Sequence, residues 1–202
     1  MSKARSAPHF SVICISGLTA SGKSTVAKML AERYGLKYYS GGGMLKELAI
    51  SEGYTSGGED WWSTEDGKRF LRERLINPDY DRRVDQMLLK KAEEGNVVLD
   101  SWTMPWLLNY GFKVWIEASR EVRAKRLSGR SGESIEDALK ALENKDGVTR
   151  KIYKSLYDID LGLDLSPFHV ILDNSNLSVE ETYKTLCEVL DRMVFKGNQK
   201  TL

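Results

Sequence analysis

The stretch Gly17-Leu18-Thr19-Ala20-Ser21-Gly22-Lys23-Ser24 decides the fold of this 202-residue chain. It satisfies the pattern G-x-x-x-x-G-K-[ST] and stands between a short apolar run and a segment with helical spacing, which is the context the pattern requires. The glycines let backbone N–H groups turn inward around a phosphate, and the start of the following helix adds a favourable dipole. An eight-residue match in this context disfavours the alternative, a glycine-rich turn that binds nothing.

This stretch predicts a site for a nucleoside triphosphate such as ATP. Lys23 would place a positive charge at the β- and γ-phosphates, and the Ser24 hydroxyl would be a ligand for Mg²⁺. The residues predicted to hold the triphosphate are Gly17, Thr19, Ala20, Ser21, Gly22, Lys23, Ser24 and Thr25.

The composition is that of an ordinary globular domain, with 41% hydrophobic and 29% charged residues. Because 30 basic residues face 29 acidic ones, we expect no stable nucleic-acid partner. The two cysteines, Cys14 and Cys187, cannot form a disulfide framework and are typical of reduced core residues. The apolar run at 10–15 is too short for a signal segment, and no run approaches the ~18 residues of a membrane span. We therefore expect one cytoplasmic domain over residues 1–202, without membrane attachment.

Alternating strand and helix signals predict an α/β fold with a parallel sheet flanked by helices. In the third predicted helix, Asn77 is the expected N-cap and Pro78 the first helical residue. The predicted strands are 10–16, 36–40, 96–100, 112–117 and 169–173, and the predicted helices are 24–34, 44–51, 77–95 and 178–194.

Two segments, 53–77 and 128–157, do not fit a minimal sheet-and-helix core, and insertions in α/β enzymes are often lids. The second is rich in basic residues, and Arg126 and Arg130 near its start are spaced to share one helix face. Phosphoryl transfer needs charge neutralised on three oxygens and water excluded, and arginines on a mobile lid supply both. The alternatives are surface excursions without a role and a merely solvated charged face.

Several other classes of protein are disfavoured. No Asp stands three residues before a Gly, and Asn144-Lys145-Asp146 lacks the spacer of a guanine motif, so a regulatory GTPase is excluded. His9 and His169 are poor candidates for a catalytic base. A kinase with a hydroxyl acceptor, using Asp100 as base, stays open, as does a nucleotide-dependent binding or switch protein.

Further stretches carry a resemblance to a known family: 38–49, 97–101, 121–130 and 170–178, together with Tyr153-Lys154-Ser155-Leu156-Tyr157-Asp158-Ile159-Asp160. With the phosphate-binding stretch, they make residues 10–194 resemble the nucleoside monophosphate kinases, most closely the archaeal-type cytidylate kinases. The resemblance implies a five-stranded P-loop kinase domain with an acceptor-binding insertion near 41–95 and an arginine-rich lid at 128–157. It also implies ATP and Mg²⁺ as cofactors and CMP or dCMP as acceptor. We expect a monomer.

The resemblance also implies roles for individual residues. Lys23 would act in catalysis together with four further residues. Of these, Arg126 would lie near the donor nucleobase, Arg130 on its phosphates, and Arg150 across the lid with Lys145 beside it. Asp100 would organise Mg²⁺ or the acceptor, the alternative being a strand-end turn carboxylate. The acceptor site would be lined by Ser40, Gly41, Gly43 and Lys46.

The chain departs from this family where the acceptor phosphate is expected. Lys46 and Trp102 stand where the family usually has arginine, and neither offers the two parallel N–H donors of a guanidinium. Lys46 or Arg82 could cover one missing arginine, whereas Trp102 suits stacking on a base or sugar. We therefore predict that CMP is a weak substrate or that the acceptor is another molecule. The segments 60–62 and 102–106 would shape its pocket, the alternative for 60–62 being a cap on a local core.

Overall fold

Five parallel strands form one sheet in the order β2-β3-β1-β4-β5 in a computed structural model that describes residues 12–56, 58 and 61–195. All five predicted strands are confirmed: β1 (Val12–Ser16), β2 (Lys37–Ser40), β3 (Val97–Asp100), β4 (Phe112–Glu117) and β5 (Val170–Asp173). Asp100 pairs in register with Ile15 of β1 and Ser40 of β2. The carboxyl ends of these three strands therefore meet at one edge, where α/β sheets bind ligands.

Four helices correspond to predicted ones: α1 (Lys23–Tyr34), α2 (Gly41–Ser51), α4 (Asp79–Glu94) and α8 (Val179–Met193). Helix α2 begins three residues earlier than predicted because the Ser40 side chain caps it, accepting from Gly43 N at 3.2 Å. At α4, Pro78 is the N-cap instead of the first helical residue, while Asn77 Oδ1 accepts from Asp79 N.

The two segments outside the minimal core are largely helical. Residues 53–77 contain a short 3₁₀ turn (Trp61–Ser63) and α3 (Glu65–Ile76). Trp61 and Phe70 are buried there among core residues, which argues against a mere surface excursion. A short helix α5 (Met104–Leu107) follows β3. Residues 128–157 comprise the end of α6 (Arg120–Ser131), a turn and the 23-residue α7 (Ile135–Tyr157).

Helices cover both faces of the sheet. One core cluster joins alternate residues of β1 and β3 to α2 and α4, and a second joins the opposite face to α1 and α8. Two smaller clusters fasten α6 and α7 to each other and to the loop after β1. Within the described residues, no helix combines the length and apolar character that a membrane crossing needs.

Candidate active site

The loop between β1 and α1 has the backbone of an anion cradle. Gly17 and Gly22 have positive φ angles of 152° and 91°, and a Cβ on Gly17 would lie 2.3 Å from Ile116 O. Helix α1 has no acidic residue in its first turn, and its N-cap Gly22 provides no side-chain acceptor. Its first backbone N–H groups are therefore available to a phosphate. This loop is called the phosphate loop below.

Lys23 is the first residue of α1, and its side chain lies beside that of Trp102. Its Nζ is 5.3 Å from the centre of the indole ring, and Trp102 Nε1 donates to Gly17 O at 2.5 Å. Trp102 also packs edge-on against Tyr153 of α7. The indole thus fastens the start of the phosphate loop to the lid segment and holds one face toward the Lys23 ammonium.

Asp100 is buried, with 3% of its surface exposed. Its Oδ2 accepts from the Tyr38 hydroxyl at 2.9 Å, while Oδ1 has no hydrogen-bond partner in the part of the chain that the structure describes. A partner on the neighbouring strand, in place of a following backbone N–H, argues against the turn-carboxylate alternative. A buried carboxylate oxygen without a donor fits Mg²⁺, which takes oxygen ligands.

Tyr38 stands between Asp100 and two serine hydroxyls. Burial and the Asp100 carboxylate raise the pKa of Tyr38, whereas hydrogen bonding from Ser40 and Ser24 lowers it. The net effect is a rise, so the phenol stays a hydrogen-bond donor. The predicted metal ligand Ser24 is therefore close to the same tyrosine that binds Asp100.

Arg126 of α6 closes the other side of the phosphate loop. Its Nη1 donates to Ser21 O at 3.0 Å and to Asn174 Oδ1 at 2.9 Å, and its Nη2 donates to Asn174 O at 3.0 Å. Burial lowers the pKa of Arg126, with Asp173 opposing. These residues border a cavity of about 230 Å³ lined by Ala20, Gly22, Thr25, Val26, Arg126, Arg130, Asn174 and Val179. It is called the donor cavity below, because Arg126 is predicted to lie near the donor nucleobase.

A buried ion pair joins both lid helices to the phosphate loop. Arg123 of α6 and Asp146 of α7 are 8% and 4% exposed, and Arg123 Nη1 donates to Asp146 Oδ2 at 2.7 Å. Arg123 Nη1 also donates to Thr19 O at 3.0 Å, and Asp146 Oδ1 accepts from Thr19 N at 3.2 Å. Thr19 is thus held by both members of the pair.

The Lys145 ammonium is close to three other positively charged side chains, those of Lys23, Arg74 and Arg130. Burial lowers the pKa of Lys145 to about 7, and the positive charges of Lys23, Arg74 and Arg130 lower it further against the opposing effect of Asp146. Its Nζ lies 4.5 Å from the centre of the Trp62 ring. Such a concentration of positive charge is what a bound phosphate chain would neutralise.

The predicted acceptor residues occupy the edge of the sheet beside Asp100. Ser40 caps α2, and a Cβ on Gly41 would lie 3.8 Å from Asp100 O, so this turn runs close to the strand end. Gly43 donates its backbone N–H to Ser40, and Lys46 Nζ donates to Gly58 O at 2.8 Å. The backbone of 40–43 therefore lies beside Asp100, whereas the Lys46 ammonium reaches toward the loop before Trp61.

A buried acidic network lies beneath this edge. Burial raises the pKa of Asp85 to about 7, although Thr103 and Tyr157 donate to it at 2.5 and 2.9 Å. Arg74, 1% exposed, holds Asp81 with two hydrogen bonds of 3.0 and 2.5 Å. These contacts join α3 and α4 to each other and to the end of α7.

The sequence is similar to proteins of known family. Residues 12–176 match the model of the cytidylate kinase-like family. The chain belongs to this family. The cytidylate kinase of Pyrobaculum islandicum is 36% identical over 195 residues, covering 94% of this chain and 98% of that protein. The cytidylate kinase of Pyrococcus horikoshii is 33% identical over 183 residues, covering 90% and 89%.

Solved structures share the fold of this cytidylate kinase-like chain at low identity. Shikimate kinase from Bacteroides thetaiotaomicron has a TM-score of 0.54 and 16% identity, covering 89% of this chain and 98% of that one. An uncharacterized protein from Eubacterium ventriosum has a TM-score of 0.57 and 20% identity, covering 90% and 98%. The predicted P-loop kinase fold and the family are both confirmed.

Three predicted site residues of this cytidylate kinase-like chain have the following positions. Trp102 Nε1 donates to Gly17 O at the phosphate loop, because Trp102 lies two residues after β3, beside the end of β1. Arg150 Nε donates to Leu161 O at 3.0 Å and lines a separate cavity of about 500 Å³ that shares no residue with the donor cavity. Arg82 is exposed on α4.

The tryptophans of segments 60–62 and 102–106 differ in their contacts. Trp61 is 1% exposed and donates to Thr55 O, as the alternative of a core cap predicts, whereas Trp62 faces Lys145. Trp106 donates to Asp164 and packs on Phe168, so it supports the core instead of a pocket. Asp60 lies outside the described residues, as does His9.

Sequence reasoning counted Arg123 among the arginines of the basic segment but did not predict its ion pair, and it assigned no role to Asp146, Asn174 or Asp85. Asp146 was considered only within a failed guanine motif, and its contact with Thr19 spans 127 residues. The available signal was weak, because Asp146 is one of four acidic residues in α7, the others being Glu136, Asp137 and Glu143.

Proposed function

We propose that this chain transfers the γ-phosphoryl group of ATP to a nucleoside monophosphate, with CMP or dCMP as the preferred acceptor. The observation that carries this proposal is the convergence of Lys23, Lys145 and Arg130 beside an anion-cradling loop. Family membership supports it, since cytidylate kinases are the named relatives.

In the proposed reaction, a phosphate oxygen of the acceptor attacks the γ-phosphorus in line. A new P–O bond forms as the bond to the β–γ bridging oxygen breaks, and ADP leaves with that electron pair. A phosphate oxyanion is already deprotonated, so no general base is needed. Lys23, Lys145 and Arg130 stabilise the charge on the transferring group, and Arg126 borders the donor nucleoside.

Mg²⁺ would be held by Ser24 and by Asp100 Oδ1, which has no partner among the residues that the structure describes, and it would neutralise charge on the donor phosphates. We assign 41–95 to acceptor binding and 128–157 to a lid within one domain. A catalytic role for Arg150 is part of this proposal, although its observed hydrogen bond serves the loop after α7. We further propose a monomer that acts in the cytoplasm.

The acceptor site is predicted to hold CMP weakly. Lys46 contacts Gly58 and Trp102 contacts the phosphate loop, and neither side chain has a guanidinium to hold the acceptor phosphate through two parallel N–H bonds. We expect a KM for CMP toward the millimolar end of the usual range of about 1 μM–1 mM. A micromolar KM with rapid turnover would contradict this expectation and leave the kinase proposal intact.

The test is coupled measurement of ADP release with ATP and Mg²⁺, with CMP, dCMP, UMP, AMP or no acceptor. We expect CMP or dCMP to give the largest increase and Lys23→Ala, the matched control, to remove it. ADP release independent of acceptor would favour the nucleotide-dependent switch. A full nucleotide panel without effect would favour a hydroxyl acceptor, for which Asp100 is the available base.

A further inference from the structure

Tyr38 is a residue of β2 to which the sequence assigned no role. Its hydroxyl donates to Asp100 Oδ2 at 2.9 Å, and the side chains of Ser24 and Ser40 are close enough to lower its pKa. The phenol of Tyr38 is thus bonded to the end of β3 and lies near the first turn of α1 and the cap of α2.

The strand register explains this convergence. Ser40 lies directly opposite Asp100, and Tyr38 lies two residues earlier on the same face of the sheet. A long side chain can reach such a diagonal neighbour. The aromatic ring packs with Val98 and other residues in the core cluster beneath α1, so the hydroxyl is presented from a rigid element.

The two oxygens of Asp100 differ because of Tyr38. Oδ2 is occupied by the phenol, whereas Oδ1 is buried and unpartnered among the described residues. Without the phenol, the carboxylate would have two unsatisfied oxygens and no fixed rotation about its Cβ–Cγ bond. Outer-sphere donors of this kind orient carboxylate ligands in metal sites.

We propose that Tyr38 is a positioning residue that aims Asp100 Oδ1 at the Mg²⁺ of the bound nucleotide. This inference rests on the proposed function, because that function supplies the metal–nucleotide complex. Tyr38 itself touches neither nucleotide nor metal in this assignment.

The test compares Tyr38→Phe with Tyr39→Phe. The first keeps the ring and removes the hydroxyl; the second does the same to the neighbouring tyrosine, whose ring faces Lys91 at 5.4 Å. Mn²⁺ replaces Mg²⁺, and its binding to the full chain with ADP is measured by electron paramagnetic resonance. Binding of ADP without metal is measured by calorimetry, and thermal unfolding verifies that both variants fold.

We expect Tyr38→Phe to weaken Mn²⁺ binding about tenfold, the lower end of outer-sphere effects, with metal-free ADP binding unchanged. Tyr39→Phe should change neither. Unchanged Mn²⁺ affinity in folded Tyr38→Phe, or an equal loss of metal-free ADP binding, would overturn the inference. Wild-type protein that binds ADP but no Mn²⁺ would overturn it too, while CMP-dependent ADP release tests the proposed function separately.

Discussion

Replacing Asp146 by asparagine tests whether the lid helices are docked on the phosphate loop without nucleotide. The substitution keeps the size of the side chain and an acceptor for Thr19 N. It removes the charge that Arg123 meets at 2.7 Å, and Arg123 is only 8% exposed. A buried guanidinium would then lack its counter-charge.

The expected cost is large. Breaking a buried ion pair by removing one partner costs about 3–5 kcal/mol of unfolding free energy. For a chain of this size each kcal/mol lowers Tm by about 2–4 °C, so Tm should fall by roughly 6–20 °C. Arg123→Met combined with Asp146→Asn should recover part of this loss, because no charge then remains buried.

Urea unfolding of the ligand-free protein measures this loss. The matched control is Glu136→Gln on the same helix, whose exposed pair with Lys140 should contribute at most about 1 kcal/mol. A loss below about 1 kcal/mol for Asp146→Asn would refute the reasoning. It would mean that water reaches the pair and that α7 stands away from the loop in solution.

Three further predictions concern catalysis and nucleotide binding. Lys23→Ala should lower kcat by about 10²–10⁴, measured by coupled ADP release, with little change in unfolding free energy; near-normal turnover would remove the assigned role. Arg126→Ala and Arg150→Ala should both lower kcat. Both should also lower the unfolding free energy, by about 1 kcal/mol for Arg150, which loses one hydrogen bond to Leu161, and by more for Arg126, which loses three to Ser21 and Asn174. If either folded variant keeps full activity, that arginine is structural. Between pH 7 and 9, nucleotide binding should weaken as pH rises, because Lys145, with a pKa of about 7, must take up a proton to meet the anion. Calorimetry in buffers of different ionisation enthalpy measures this uptake, which Lys145→Arg should abolish.

The sheet and the phosphate loop could be predicted because each depends on residues that are close together in the sequence. Residues 12–15 and 97–99 are buried on both faces of a parallel sheet, so they form continuous apolar runs between turn residues. The phosphate loop is an eight-residue motif whose geometry depends mainly on its own glycines. Neither signal required knowledge of a distant residue.

The lid contacts could not be predicted in this way. Helix α7 turns only a few small or aliphatic residues inward, such as Ala138 and Leu142, and its many charges mask that spacing. The role of Asp146 depends on Thr19 and Arg123, which reach it only after the sheet has formed. Trp102 was interpreted from its residue type, whereas its position follows from the adjacency of β1 and β3.

Asp146 and Lys145 are consecutive residues of α7, and their positions connect closure of the lid to the arrival of an anion. Asp146 faces the backbone of Thr19, so docking α7 through this carboxylate necessarily brings Lys145 among the positive charges of Lys23 and Arg130. Without an anion those charges lower the pKa of Lys145, which opposes its protonated form; a bound phosphate chain removes the opposition. We infer that the carboxylate fixes where α7 docks and that, under the proposed function, a bound nucleotide would make this docking more favourable.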